Sequence, residues 1–381
     1  MFFPKDNRPQ PAVLTKQLST EYVTIAERMR EAGYKSAFLG KWHIASSVGK
    51  GGRVAPELSP TGQGFDINIG GTSYGGPPSF FSPYRNGELK DGPEGEYLPD
   101  RLVDETINFI GKNKSKPWMT HLWFYTVHWP MQAPEPLLKK YANRKGPGLN
   151  DTRYGAMIEA MDAAIGRLLK ALDEMGESEE TLLIFTSDNG GASYVGLPDL
   201  NKPYRGWKIT FFEGGIHTPY FIRWPAKIDA GSQYKSAVAH VDIFSTALAA
   251  AGVEPPSDRI INGVNILDYA LQQPQRALSR PIFWRTGGYK VVLHDGWKLQ
   301  LQEQNGKNWL FNLNEDPTEQ VNLSQREEYG QKLAALRETL YQLDSQMVEP
   351  LWPALIESPI AVDYTIDKLP DAAYETVIWS N

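Results

Sequence analysis

Thr181-Leu-Leu-Ile-Phe-Thr-Ser-Asp-Asn-Gly-Gly191 is the stretch on which the reading of this chain turns. Leu182 to Thr186 is a short apolar run of β-favouring residues, and such a run, apolar on both faces, suits a buried parallel strand. It ends at Asp188 and Asn189, two oxygen donors, followed by two glycines. In an open α/β sheet, chemistry collects beyond the carboxyl ends of the strands. A carboxylate and an amide oxygen at such a point, with glycines admitting close backbone, suit a hard cation such as Ca²⁺ or Mg²⁺. Read alone, Asp-Asn-Gly-Gly is equally good turn chemistry.

The rest of the chain narrows the choice. It has 381 residues, 41% hydrophobic and 22% charged, the ordinary composition of a globular protein with one large domain or one large and one small. The net charge of −6 argues against a nucleic-acid footprint. No run approaches the length of a membrane span, and the opening Met1-Phe-Phe-Pro-Lys-Asp-Asn lacks the apolar core of a signal peptide. There is no cysteine, so disulfides, thiolate metal sites and a cysteine nucleophile are excluded within these residues.

Residues 1–18 read as an irregular arm. Thr24 and Glu27 form a capping box that opens a helix closing near Gly33. A strand, Ser36 to Leu39, leads into Lys41 and His43, which share a side in extended backbone and could grip an anion or move a proton. Residues 44–100 are rich in Gly, Pro and Ser and read as irregular. A helix is expected over Leu102 to Lys112, and a strand over Trp118 to Val127, ending at His128. The clearest helix runs from Asp151 to Gly176, with Tyr154, Ile158, Met161, Ile165, Leu168 and Leu172 as its core face. Tyr220 to Trp224 reads as a strand and Asp242 to Ala251 as a helix. The alternation of helix and strand argues for a doubly wound sheet. From Pro281 the pattern changes to short strands at Ile282–Trp284, Tyr289–Leu293 and Trp297–Leu301, a small antiparallel sheet followed by a helix over Glu327 to Leu343. The tail from 344 to 381 shows little regularity.

Several segments then agree. GKWH at 40–43, VHWP at 127–130, TSDNGG at 186–191 and Lys208 five residues ahead of EGG at 213–215 resemble the type I sulfatase family of the alkaline phosphatase superfamily. The flanks EAGYKSAFLGKWH, YGAMIEAMDAAIGRLL, EGGIHTPYFIRWP and HVDIFSTALAAAGV look like the same family, as do DGWKL and LFNLNEDPTEQVNL further on. The resemblance covers roughly residues 20–345. It implies a doubly wound mixed sheet flanked by helices, over residues 1–275, and a C-terminal α+β subdomain with a small antiparallel sheet over 276–381. It also implies hydrolysis of sulfate monoesters, aryl or carbohydrate, by a formylglycine hydrate with Ca²⁺ holding the sulfate. On that pattern Asp188 and Asn189 are metal ligands, Lys41 and Lys208 clamp the sulfate, His43 partners the nucleophile and His128 stands beside the leaving group.

The family's paired aspartates and its Cys/Ser-x-Pro-x-Arg nucleophile motif are not found in these residues. Ser279-Arg-Pro-Ile-Phe283 lacks the final arginine, and Ser82 is followed directly by proline. The pattern implies that residue 1 falls just after the nucleophile helix. The metal site is then expected to be incomplete and formylglycine absent, with little turnover by this chain alone. An apolar face left by a missing strand implies association, as a homo-oligomer or with a complementing chain. Two other readings stand beside this one: a non-catalytic protein binding sulfated ligands, and a phosphoryl-transfer relative. In all of them Lys41, His43, His128 and Lys208 are expected to converge on an anionic ester, with neither nucleic acid nor membrane as partner. If a signal peptide were lost with such a segment, the protein would be periplasmic or secreted.

Overall fold

A computed structural model describes residues 17–144, 146, 148–192, 199–272, 275–349, 357–364 and 375–380. In chain order the first elements are α1 (Ile25–Glu31), β1 (Lys35–Gly40), β2 (Ile67–Ile69), α2 (Leu98–Asn113), β3 (Trp118–Trp123), α3 (Glu135–Tyr141) and α4 (Thr152–Met175). There follow β4 (Leu183–Thr186), α5 (Glu213–Ile216), β5 (Tyr220–Arg223), α6 (Asp242–Ala250) and α7 (Leu267–Ala270). The last are β6 (Ile282–Thr286), β7 (Tyr289–His294), β8 (Trp297–Gln302), β9 (Lys307–Asn312), α8 (Gly330–Asp344), β10 (Glu357–Ala361) and β11 (Thr376–Ser380). They fall into two compact units, one over 15–185 and 221–277, the other over 186–220 and 278–381. No helix among the described residues is long and apolar enough to cross a membrane.

The first unit is built on a parallel sheet in the order β2-β1-β3, with Ala37 opposite both Ile67 and Thr120. The capping box that opens α1 is complete: Glu27 N–H donates to Thr24 Oγ1 at 3.2 Å and Thr24 N–H to Glu27 Oε2 at 2.8 Å. Phe38, wholly buried on β1, meets Trp42, Phe65 and Trp123 edge-on at 5.0–5.5 Å. Such an edge-to-face cluster suits the quadrupoles of the rings. β2 lies inside the segment read as irregular. Three residues give too short a pattern to see, and parallel pairing with β1 is what makes them a strand.

α2 starts four residues earlier than expected, because Pro99 sits in its first turn, where a missing N–H costs nothing. β3 stops at Trp123, not Val127. α3 was not anticipated. α4 has the expected ends, Asp151 capping Arg153 N–H and Gly176 in the left-handed region at φ 72°. Its buried face agrees with the expected one at Leu168 and Leu172 and departs from it nearer the N-terminus. Gly155, Ala156, Met157, Ala160, Ala164, Leu168 and Leu172 turn inward, while Ile158 is 41% exposed. Small residues let α4 approach α2 and α3 closely, and that outweighs the larger hydrophobics one step around the helix. β4 pairs with β5 and is half-buried along its length, not fully buried as the apolar run suggested.

The second unit carries an antiparallel meander, β6-β7-β8-β9. Its alternation is clean. Val292, Leu299, Leu301 and Leu310 pack on one side with Leu336 and Leu340 of α8. Tyr289, Val291, Trp309 and Phe311 pack on the other with Trp207 and Phe212, together with Ile360, Val362 and Val377. The tail expected to be irregular therefore supplies an antiparallel pair, β10 and β11, which covers this second face. β9 is a fourth strand beyond the three read from the sequence.

Candidate functional site

Three loops leave the carboxyl ends of β1, β2 and β3, and each brings part of a polar cluster in the first unit. Beyond β1, Lys41 N–H donates to Trp123 O at 2.8 Å and His43 N–H to Thr72 O at 2.9 Å, so Lys41 is tied to the end of β3 and His43 to the loop from β2. His43 is exposed and holds φ 55°, a left-handed backbone that costs a non-glycine residue on the order of 1 kcal/mol. Beyond β3, His128 N–H donates to Tyr125 O at 2.9 Å. His128 Nδ1 lies 3.1 Å from Trp129 O, and a carbonyl only accepts, so Nδ1 carries the hydrogen and Nε2 is the basic nitrogen of the neutral ring. Tyr125, 2% exposed, reaches Gly70 O at 3.3 Å and Thr72 Oγ1 at 3.5 Å, and burial pushes its hydroxyl up to about 12, so it stays protonated.

The loop beyond β2 contributes Gly75 and Gly76. A Cβ on Gly75 would stand 2.7 Å from His43 Cε1, and one on Gly76 2.7 Å from both His128 Nδ1 and Trp129 O. The two imidazoles thus pack against consecutive glycines, which brings His43 and His128 to one place although they are 85 positions apart. Sequence reading named both histidines and missed the glycines, whose signal was present as Gly75-Gly76 in the unpatterned stretch.

The second unit holds Asp188, Asn189 and Lys208. Gly190 N–H donates to Gly215 O at 2.9 Å, Lys208 N–H to Gly191 O at 3.1 Å and Gly191 N–H to Asn201 Oδ1 at 2.8 Å. A Cβ on Gly190 would fall 1.8 Å from Gly214 O. The glycines of TSDNGG and EGG therefore interlock backbone against backbone, and the Lys208 segment is fastened to the end of β4. Lys41, His43 and His128 belong to the first unit and Lys208 to the second.

Beneath α5 lies a network that sequence reading did not assign. Lys298 Nζ, wholly buried, is 2.8 Å from Glu213 Oε1 and 2.9 Å from Glu319 Oε1. Glu213 N–H donates to Glu319 Oε2 at 2.6 Å, and His217 Nδ1 is 2.8 Å from Glu213 Oε2. Burial works to raise the Glu213 carboxyl, but Lys298 and His217 outweigh it and hold it at about 2. All three buried residues stand in the stretches EGG, DGWKL and DPTEQ, which was the available signal.

Asp188 and Asn189 offer oxygens, and Asn189 Nδ2 donates to Gly190 O at 2.9 Å, which turns its Oδ1 outward from that bond. Among the described residues no group of three or more His, Asp or Glu is placed to hold a metal ion. Ca²⁺ takes six to eight oxygens, so the described donors do not fit a Ca²⁺ site by themselves.

The sulfatase sequence profile matches residues 2–253, and the profile for the C-terminal part of N-sulphoglucosamine sulphohydrolase matches residues 206–346. Human N-acetylgalactosamine-6-sulfatase is 31% identical over 69% of this chain and 51% of its own length. The chain spans about half the length of the curated relatives it matches. Among solved structures, Ps i-CgsB in complex with k-i-k-neocarrahexaose superposes with a TM-score of 0.75 at 24% identity, over 89% of this chain and 77% of that one. A protein in complex with its substrate D-glucosamine-2-N,6-O-disulfate does so with a TM-score of 0.64 at 20% identity, over 87% and 83%. At these identities the structural likeness shows the shared α/β fold.

Proposed function

The chain belongs to the sulfatase family, and from that premise we propose that it handles sulfate monoesters of carbohydrates. The observation that carries this reading is the pair of imidazoles, His43 and His128, packed on Gly75 and Gly76 at the carboxyl ends of parallel strands. Carbohydrate, rather than aryl, is favoured by the names of the relatives above, which include N-acetylgalactosamine, k-i-k-neocarrahexaose and D-glucosamine-2-N,6-O-disulfate.

In this proposal Lys41 neutralises the sulfate oxygens by a charge-assisted hydrogen bond, and His43 donates a further one. His128, with Nδ1 as donor to Trp129 O, presents Nε2 to the leaving oxygen; as imidazolium it gives that oxygen its Nε2 proton while negative charge develops, and returns to the neutral ring. Asp188 and Asn189 supply oxygens toward a cation. These 381 residues contain no cysteine and no Ser-x-Pro-x-Arg run. The chain by itself therefore binds sulfate esters and turns them over little, since water is a poor replacement for an activated nucleophile.

The test is a titration with inorganic sulfate and N-acetylgalactosamine 6-sulfate, run beside hydrolysis of 4-nitrophenyl sulfate on the same purified chain. Salt-sensitive binding that Lys41→Ala and His128→Ala each weaken, without enzyme-like turnover, is expected. Turnover at ~1 s⁻¹ or faster would overturn the binding-only reading, and no binding of either ligand would overturn the site.

A further inference from the structure

We propose that Trp129 is the platform on which the pyranose ring of a sulfated sugar lies, which makes it a specificity-determining residue. The inference rests on the sulfate-binding reading of His43 and His128. Trp129 is 57% exposed. The other tryptophans and Tyr125 at this end of the sheet are buried or stacked on neighbouring rings, Trp123 being 43% exposed with one face so covered. Trp42 and Tyr125 are 4% and 2% exposed, and Trp123 stacks on Trp42 at 6.4 Å and on His121 at 5.4 Å. No described ring lies against Trp129.

Its backbone is nonetheless fixed. The Trp129 carbonyl meets His128 Nδ1, and Gly76 leaves room for that carbonyl where any Cβ would strike it at 2.7 Å. An indole thus stands in solvent, one residue from the imidazole assigned to the leaving oxygen. Exposure of so large an apolar face at an anchored position is unfavourable for the free protein, and a ligand that covers it recovers the burial.

The chemistry of that ligand follows from the openness of the face. A flat aromatic leaving group gains most when both of its faces are enclosed in an apolar slot. A pyranose has one apolar C–H face and a rim of hydroxyls, so it is satisfied by lying on a single exposed indole with its other face in water. A sulfate seated at His43 and His128 would leave its sugar beside this ring.

The experiment compares wild type, Trp129→Ala and Trp129→Phe as purified full chains. Each is titrated with inorganic sulfate, N-acetylgalactosamine 6-sulfate and 4-nitrophenyl sulfate. Because Trp129 is exposed, both variants should fold, and thermal melts confirm it. The expected result is that Trp129→Ala weakens the sulfated sugar about tenfold, leaves inorganic sulfate unchanged and changes 4-nitrophenyl sulfate much less, with Trp129→Phe restoring most of the loss. Equal weakening of all three ligands would show that Trp129 merely shapes His128, and would overturn the proposal. So would no change in any ligand, or a loss for 4-nitrophenyl sulfate as large as for the sugar. If the wild-type chain binds no sulfate at all, the parent reading fails and this one with it, an outcome distinct from the others.

Discussion

Lys298 and Glu213, 85 residues apart in the chain, meet inside the second unit with Nζ 2.8 Å from Oε1, and neither is exposed by more than 9%. Glu319, wholly buried at φ 58°, completes the group and also accepts from Gln300 Nε2 at 3.2 Å. A left-handed backbone at a buried glutamate is held there by the donors around it. Removing one member of such a group strands a buried charge, which costs far more than the group contributes as a whole. Lys298→Met is therefore expected to destabilise the protein by about 3–5 kcal/mol in urea denaturation. Adding Glu319→Gln to it should recover part of that loss. If Lys298→Met alone is neutral, the ion group does not hold this unit together.

A second prediction concerns acid. His121 on β3 stacks on Trp123 and meets Phe65 edge-on at 5.1 Å, and desolvation lowers its pKa from 6.5 to about 4. The folded state thus resists a proton that the unfolded chain accepts. Stability from this group is full above pH 6.5 and falls as pH drops toward 4, by up to roughly 3 kcal/mol. Denaturation midpoints at pH 7 and pH 4.5 should differ less in His121→Phe than in wild type. An unchanged difference would show that other groups carry the acid sensitivity.

The paired glycines make a graded prediction. Alanine at Gly76 would press on the Trp129 backbone carbonyl, whereas alanine at Gly75 would meet only the His43 ring, which can turn away. Gly76→Ala should cost about 1–3 kcal/mol and Gly75→Ala less. Both should weaken sulfate binding by displacing an imidazole. Thermal melts with sulfate titrations check the order, and a Gly75→Ala variant more damaged than Gly76→Ala would contradict it.

For the metal, Asp188 and Asn189 are two oxygen donors where Ca²⁺ asks for six to eight. Calorimetric titration of this chain with CaCl₂ is expected to show affinity no tighter than ~0.1 mM, the range of sites with few ligands. Submicromolar binding abolished by Asp188→Ala would mean that further ligands assemble around these two.

The sequence by itself determined most of the scaffold. The capping box at Thr24 and Glu27, the helix bounded by Asp151 and Gly176, and the strands of the meander were legible because caps and period-2 patterns are local. The family was legible too, since short ordered motifs such as GKWH and VHWP keep their spacing. What tertiary structure decided was non-local. β2 is a strand only because β1 pairs with it. The inward face of α4 was set by how closely α2 and α3 approach, a matter of side-chain volume across helices rather than of period along one. The tail became a pair of strands because the Tyr289 and Trp309 face of the meander needed covering. Lys298 reads as a surface residue until the fold places two carboxylates against it. Gly75 and Gly76 read as loop filler until two histidines from other strands close on them. A lone charge or glycine has no partner in its own sequence neighbourhood, and the physics that gives it a role begins only when distant segments meet.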